Sequence, residues 1–253
     1  MKHLLITICQ RARFDLLIFF TLLANLNSFG QASTYELEKM PESLETDFAL
    51  SALPPHLRDG ASIYLLDPKK GYYLSRKGSN GFICFVDRTE WDRKEFRNDI
   101  ASPISYDAEG ARVIFPVFVD VATMRASGKF TIHQINDTVN ARFKKGIYKV
   151  PKPGISYMLG PLMRTFNEAG TKVITISVPH YMFYAPYLTA ADLGCRQNAE
   201  GVEPIVLGEG KTPHGYAIIS TGEKERAKIL EDQKQLMKRL AEYKSYFQVD
   251  RKG

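Results

Sequence analysis

Residues 1–32 look built to be cut away, and that decides what remains to fold. Lys2, Arg11 and Arg13 make a basic start, an apolar run follows from Leu16 to Leu26, and Gly30-Gln31-Ala32 is small at both positions a signal peptidase reads. That order is the pattern of a secretory signal peptide. A membrane-spanning helix needs about 18 or more apolar residues, and Gln10, Arg11, Arg13 and Asp15 cut this run short. The expected product is an exported protein, periplasmic or extracellular, with residues 33–253 as a single α+β domain. Its membrane contact is expected only through the leader before cleavage.

With 44% hydrophobic and 25% charged residues the chain can bury an ordinary globular core. The net charge is +6, and the leader's three basic residues against Asp15 account for two of it. The remaining basic residues are scattered, densest in pairs such as Lys69-Lys70 and Lys144-Lys145. Nucleic-acid binding asks for a clustered stripe, so no nucleic-acid partner is expected. Of three cysteines, Cys9 precedes the apolar run and goes with the leader. Cys84 and Cys195 can form one disulfide in an oxidising compartment or stay separate as small apolar residues. Because Cys84 reads as the middle of a strand, two free thiols with Cys84 buried are expected.

The pattern predicts a mostly antiparallel sheet with an amphipathic mid-chain helix and a long C-terminal helix. Residues 33–50 read as a loosely held arm leading into a short helix around Leu44–Leu53, stopped by Pro54-Pro55. Ser62–Leu66 and Tyr72–Arg76 read as strands around the turn Asp67-Pro68-Lys69-Lys70-Gly71. Asn80-Gly81 is a hairpin signal that should return Phe82–Asp87 alongside. In that strand Phe82, Cys84 and Val86 share one face and Ile83, Phe85 and Asp87 the other, so both faces need cover. Val113–Val121 reads as an edge strand interrupted by Pro116, or a strand entering a helix. Thr131–Lys145 is the mid-chain helix, with Thr131 and Gln134 placed for a capping box and a stripe of Ile132, Ile135, Val139 and Phe143. Ile155–Leu159, Lys172–Val178, Val202–Leu207 and Tyr216–Ser220 read as further strands. From Thr221 to Phe247 a helix repeats Ile229, Leu236, Leu240, Tyr243 and Phe247 on one face.

Two Pro-His phrases could carry chemistry: Pro179-His180-Tyr181 and Pro213-His214-Gly215-Tyr216. Both sit at strand ends, where proline fixes the backbone before the ring. If their strands are neighbours the two imidazoles can converge as a metal or acid–base pair. They can equally be hydrogen-bonded core histidines. Cys84 completes the catalytic candidates if Arg88, His180 or His214 lowers its pKa; between Ile83 and Phe85 it reads more simply as an inert core thiol. Tyr157, Tyr181, Tyr184 and Tyr216 are candidate ligand contacts, and Tyr181 to Tyr187 is aromatic enough to wall an apolar pocket. Asp87, Glu90, Asp92 and Glu95 interleave with Arg88, Arg93, Lys94 and Arg97 around Trp91 and read as a solvated mixed-charge turn. No G-x-S-x-G elbow, P-loop, G-x-G-x-x-G or H-E-x-x-H is present. The sequence therefore names no cofactor, metal or reaction.

Several phrases resemble, together, a group of exported bacterial proteins without an established activity. They are residues 53–61 (Leu53-Pro54-Pro55 through Arg58 to Ala61), Asn80-Gly81-Phe82, Tyr106-Asp107-Ala108-Glu109-Gly110, Gly154-Ile155-Ser156-Tyr157-Met158, Pro179-His180 with Met182 to Pro186, and Pro213-His214-Gly215-Tyr216. The resemblance implies export and one evolutionary unit, and it supplies no catalytic residue. Two functions follow as expectations. One is a small-molecule binder or enzyme with a cleft near His180 and His214. The other is a non-catalytic envelope protein that works by contact through an exposed apolar face of its C-terminal helix.

Overall fold

The computed structural model describes residues 36–91, 95–167, 169–196 and 203–249. The leader, its expected cleavage site, and Asp92, Arg93 and Lys94 of the mixed-charge turn lie outside them. The described chain is α+β, built on a mixed, mostly antiparallel eight-stranded sheet.

In chain order the elements are α1 (Glu42–Ser51), α2 (Pro55–Arg58), β1 (Ser62–Asp67), β2 (Gly71–Arg76), β3 (Ile83–Asp87), β4 (Ser102–Tyr106), α3 (Ala108–Val113), α4 (Phe115–Ala126) and α5 (Ile132–Lys144). There follow β5 (Ile155–Met158), β6 (Met163–Phe166), β7 (Val173–Ile176), β8 (His180–Tyr184), β9 (Ile205–Leu207), β10 (Tyr216–Ser220), α6 (Glu223–Asp232) and α7 (Lys234–Tyr243). The large sheet runs β2-β1-β3-β4-β5-β8-β10-β9, and β6 pairs with β7 separately.

Register assigns the two faces. Ile83, Phe85, Ile104, Tyr106 and Tyr184 share one face and pack on Ile114, Phe115 and Phe118 of the α3–α4 segment. Cys84 and Val86 lie on the other, under Leu44, Phe48 and Ala49 of α1 and Leu236 and Leu240 of α7. Both faces of β3 are thus covered, and all five of its residues are buried. Beneath α4, Val117, Val121 and Met124 meet Ile135 and Val139 of α5. That helix begins in a capping box in which Thr131 Oγ1 accepts the Gln134 N–H and Gln134 Oε1 accepts the Thr131 N–H.

Five expectations need correction. The arm at 33–50 is not loose where it is described: Met40, Leu44, Phe48 and Ala49 are core. Val113–Val121 is helical, because Pro116 falls in the first turn of α4, where its missing N–H costs nothing. Asn80-Gly81 does not turn a hairpin. β3 instead runs parallel to β1, beyond which β2 lies. The Asn80 side chain ties the crossing segment down, accepting the Phe82 N–H and donating to the Leu57 carbonyl.

The strand Ser102–Tyr106 was not expected, since it contains Pro103. Ala101 and Asp107 direct their N–H groups away from β3, and Pro103 shares that side. β5 pairs only with Ser105 and Tyr106, so the missing N–H leaves no ladder bond unmade. Finally, the C-terminal helix is two helices. It breaks at Gln233, whose φ of −107° and ψ of 12° are not helical.

Candidate functional site

The antiparallel pairing of β8 with β10 separates the two histidines. His180 lies opposite Ser220 and Tyr184 opposite Tyr216. His214 precedes Tyr216, so it stands beyond the far end of the ladder, roughly 20 Å from His180 at about 3.3 Å per residue. The two strands are neighbours, but their opposed direction keeps the rings from converging. His180 is buried, and its Nδ1 is 2.7 Å from the Val178 carbonyl, which can only accept. His214 Nε2 is 2.9 Å from the Lys149 carbonyl, and its ring stands edge-on to Phe143. Burial lowers the pKa of both rings, and each is bonded to a backbone carbonyl rather than to the other. No group of three or more His, Cys, Asp or Glu with metal-binding geometry occurs among the described residues.

Cys84 is fully buried, and burial pushes its thiol up to about 12 despite Arg76 and Arg58 nearby. A thiol so protonated is no nucleophile at neutral pH. Cys195 follows a short 3-10 turn at Ala191–Leu193, and neither cysteine is bridged.

The four tyrosines divide between the two faces of the sheet. Tyr184 and Tyr216 lie with Tyr106 on the α3–α4 side. The Tyr184 hydroxyl reaches Asp107 Oδ1 at 2.8 Å and the Ile155 carbonyl at 2.9 Å. Asp107 also caps α3 through the Gly110 N–H and holds the Ile155 N–H. A Cβ on Gly154 would sit 2.4 Å from Asp107 Oδ2, and one on Gly110 would sit 2.1 Å from the Tyr184 hydroxyl. The arrangement is a closed structural knot. Burial raises the pKa of all three phenols, leaving them neutral.

Tyr157 and Tyr181 stand side by side on the other face, with ring centroids 6.4 Å apart. They floor a groove of about 380 Å³. Leu53, Pro55 and Leu159 continue its apolar wall, while Ile229 and Gln233 descend from α6 and the break after it. The groove exists because α6 buries none of its residues, whereas α7 plants Leu236 and Leu240 in the core. The start of α6 is pinned where Thr221 N–H and Oγ1 both donate to the Pro179 carbonyl. Pinned at one end and docked through α7 at the other, α6 spans the sheet without filling the space below it.

Arg58 enters the same groove from the end of α2. Its Nε donates to the Leu53 carbonyl at 2.9 Å, and burial lowers its pKa. Lys228, Asp232 and Glu225 form the rim on α6, with Lys228 Nζ bonded to Asp232 Oδ2 at 2.6 Å. Of the seven candidate residues, then, two reach this groove. Sequence reasoning missed Arg58, Leu159 and Ile229 as its partners. The one available signal was the Pro54-Pro55 stop, which places Arg58 on a short helix just after a core helix. No family model, curated protein or solved structure matches the chain.

Proposed function

We propose that this is an exported binding protein that holds a small apolar molecule between its sheet and α6. The supporting observation is the groove floored by Tyr157 and Tyr181 beneath a helix that buries nothing of its own. Its volume lies in the range of small-molecule sites, which combine apolar walls with a few placed polar groups. Export rests on the basic, apolar and small-residue order of residues 1–32. A binding role is favoured over catalysis because strand direction sets His180 and His214 apart and Cys84 is a buried, protonated thiol.

The test is saturable fluorescence enhancement of N-phenyl-1-naphthylamine, a neutral apolar probe, by the purified protein. Ile229→Trp fills the groove from the α6 side and should weaken binding at least about tenfold, the cost of displacing a well-buried apolar ligand. Unchanged binding in that variant, or no binding by the parent, removes the reading.

A further inference from the structure

We infer that the molecule held in the groove is a monocarboxylate with an apolar body, its acid group seated on the guanidinium of Arg58. The inference rests on the binding reading above and adds the charge and orientation of the ligand.

The charges around the groove carry the argument. Asp232 is paired with Lys228 on its own helix, and its charge also acts on Arg58 from beyond ion-pairing distance. Glu225 lies in the first turn of α6, where the helix amides favour a carboxylate, and its side chain belongs to the exposed rim. Arg58 differs from both. It is half-buried against the apolar wall, and among the described residues no carboxylate lies within ion-pairing distance of it. Its Nε is used by the Leu53 carbonyl, which fixes the plane of the guanidinium. Its two terminal nitrogens have no hydrogen-bond partner among the described residues.

A partly desolvated cation whose fork is oriented and unspent, at the end of a tyrosine-floored slot, complements an anion with an apolar tail. The planar fork matches a carboxylate through two parallel hydrogen bonds. The slot, meanwhile, accepts apolar surface alongside Tyr157, Tyr181, Leu159 and Ile229. Arg58 thus acts as the specificity determinant and the aromatic floor as the source of general affinity.

The experiment is displacement of N-phenyl-1-naphthylamine by dodecanoic acid, dodecanol and dodecylamine at pH 7.5, checked by calorimetry. The acid should bind about ten- to a hundredfold more tightly than the alcohol, the range of one charge-assisted hydrogen-bonded pair. Arg58→Gln should erase that preference, so that acid and alcohol bind the variant equally, and Arg58→Lys should restore part of it. Should Arg58→Gln not fold, the three-ligand comparison on the parent and Arg58→Lys still decides. Equal affinity for acid and alcohol, or tighter binding of the amine, overturns the inference while leaving the groove reading intact. A preference for the acid that survives in both Arg58 variants also overturns it. If neither the probe nor any of the three ligands binds, both readings fall together.

Discussion

Glu45 is on the inner face of α1 with no exposed surface. One carboxyl oxygen accepts the Leu66 N–H at 2.8 Å, and the other has no partner among the described residues. Burial pushes its pKa up to about 7, outweighing the Leu66 bond and the cations Arg88 and Lys39, with Glu42 adding a small push upward. The unfolded carboxyl ionises near 4.5, so between that value and about 7 the folded chain binds more protons than the unfolded one. Stability from this group is therefore whole below about pH 4.5 and is lost as pH rises through 7, a difference on the order of 3 kcal/mol. Glu45→Gln removes the titration, so urea unfolding at pH 5 and pH 8 should show the variant gaining on the parent at the higher pH. A gap that stays constant between the two pH values refutes this. His180 and His214 tilt the other way, because their lowered pKa values cost stability as pH falls below about 6.5. The comparison must therefore be made as a difference between variant and parent. Tyr184→Phe tests a separate residue-scale claim. It deprives Asp107 and the Ile155 carbonyl of one donor, and should cost about 1–3 kcal/mol while leaving probe binding in the groove unchanged. A loss of binding would mean that the two faces are coupled.

At the scale of elements, α6 and α7 form the sharpest contrast. They are equal in length and adjacent in sequence, yet only α7 contributes to the core, through Leu236 and Leu240 against α1. Local opening follows buried apolar contact, so the amides of α6 should exchange with deuterium well before those of α7, and bound probe should slow α6 selectively. Equal protection of both helices without ligand would contradict the packing described. Leu240→Ala should cost about 2–5 kcal/mol, in line with a large-to-small core change. Legibility in the sequence followed how locally each element is specified. The β1–β2 turn carries its own chemistry: Asp67 Oδ1 accepts the Lys69 N–H, and Gly71 takes φ +93°. The capping box at Thr131 is equally local. The strand Ser102–Tyr106 was illegible because its proline is acceptable only given where β5 stops. The break at Gln233 was illegible for the converse reason. Ile229 and Leu236 keep helical spacing across it, and only the different depth of their two helices against the sheet separates them. Of the C-terminal stripe, Leu236, Leu240 and Phe247 are buried, with Phe247 edge-on to Phe48, while Ile229 and Tyr243 are only partly covered.

Across the whole molecule, topology decided what the sequence could not. The Pro-His phrases were legible as a pair, and their strands are neighbours, but strand direction sets them at opposite ends of the ladder. Tyr157 and Tyr181 look no different in sequence from Tyr184 and Tyr216; the parity of β5 and β8 sends one pair to the groove and the other to the closed knot. The same topology gives the two cysteines different kinetics. Cys84 lies on a central strand with α1 and α7 over it, and its high pKa suppresses the reactive thiolate besides. Cys195 lies past a short turn and is partly exposed. Iodoacetamide at pH 8 followed by peptide mapping should find Cys195 modified within minutes. Cys84 should be modified only at the rate of global unfolding, accelerating in urea in step with loss of the native far-ultraviolet signal. Rapid native labelling of Cys84 would mean that α1 or α7 detaches as a unit. A disulfide-linked pair of peptides would show that the segment carrying Cys195 folds over the sheet after all, because the bridge needs Cα atoms within about 7 Å.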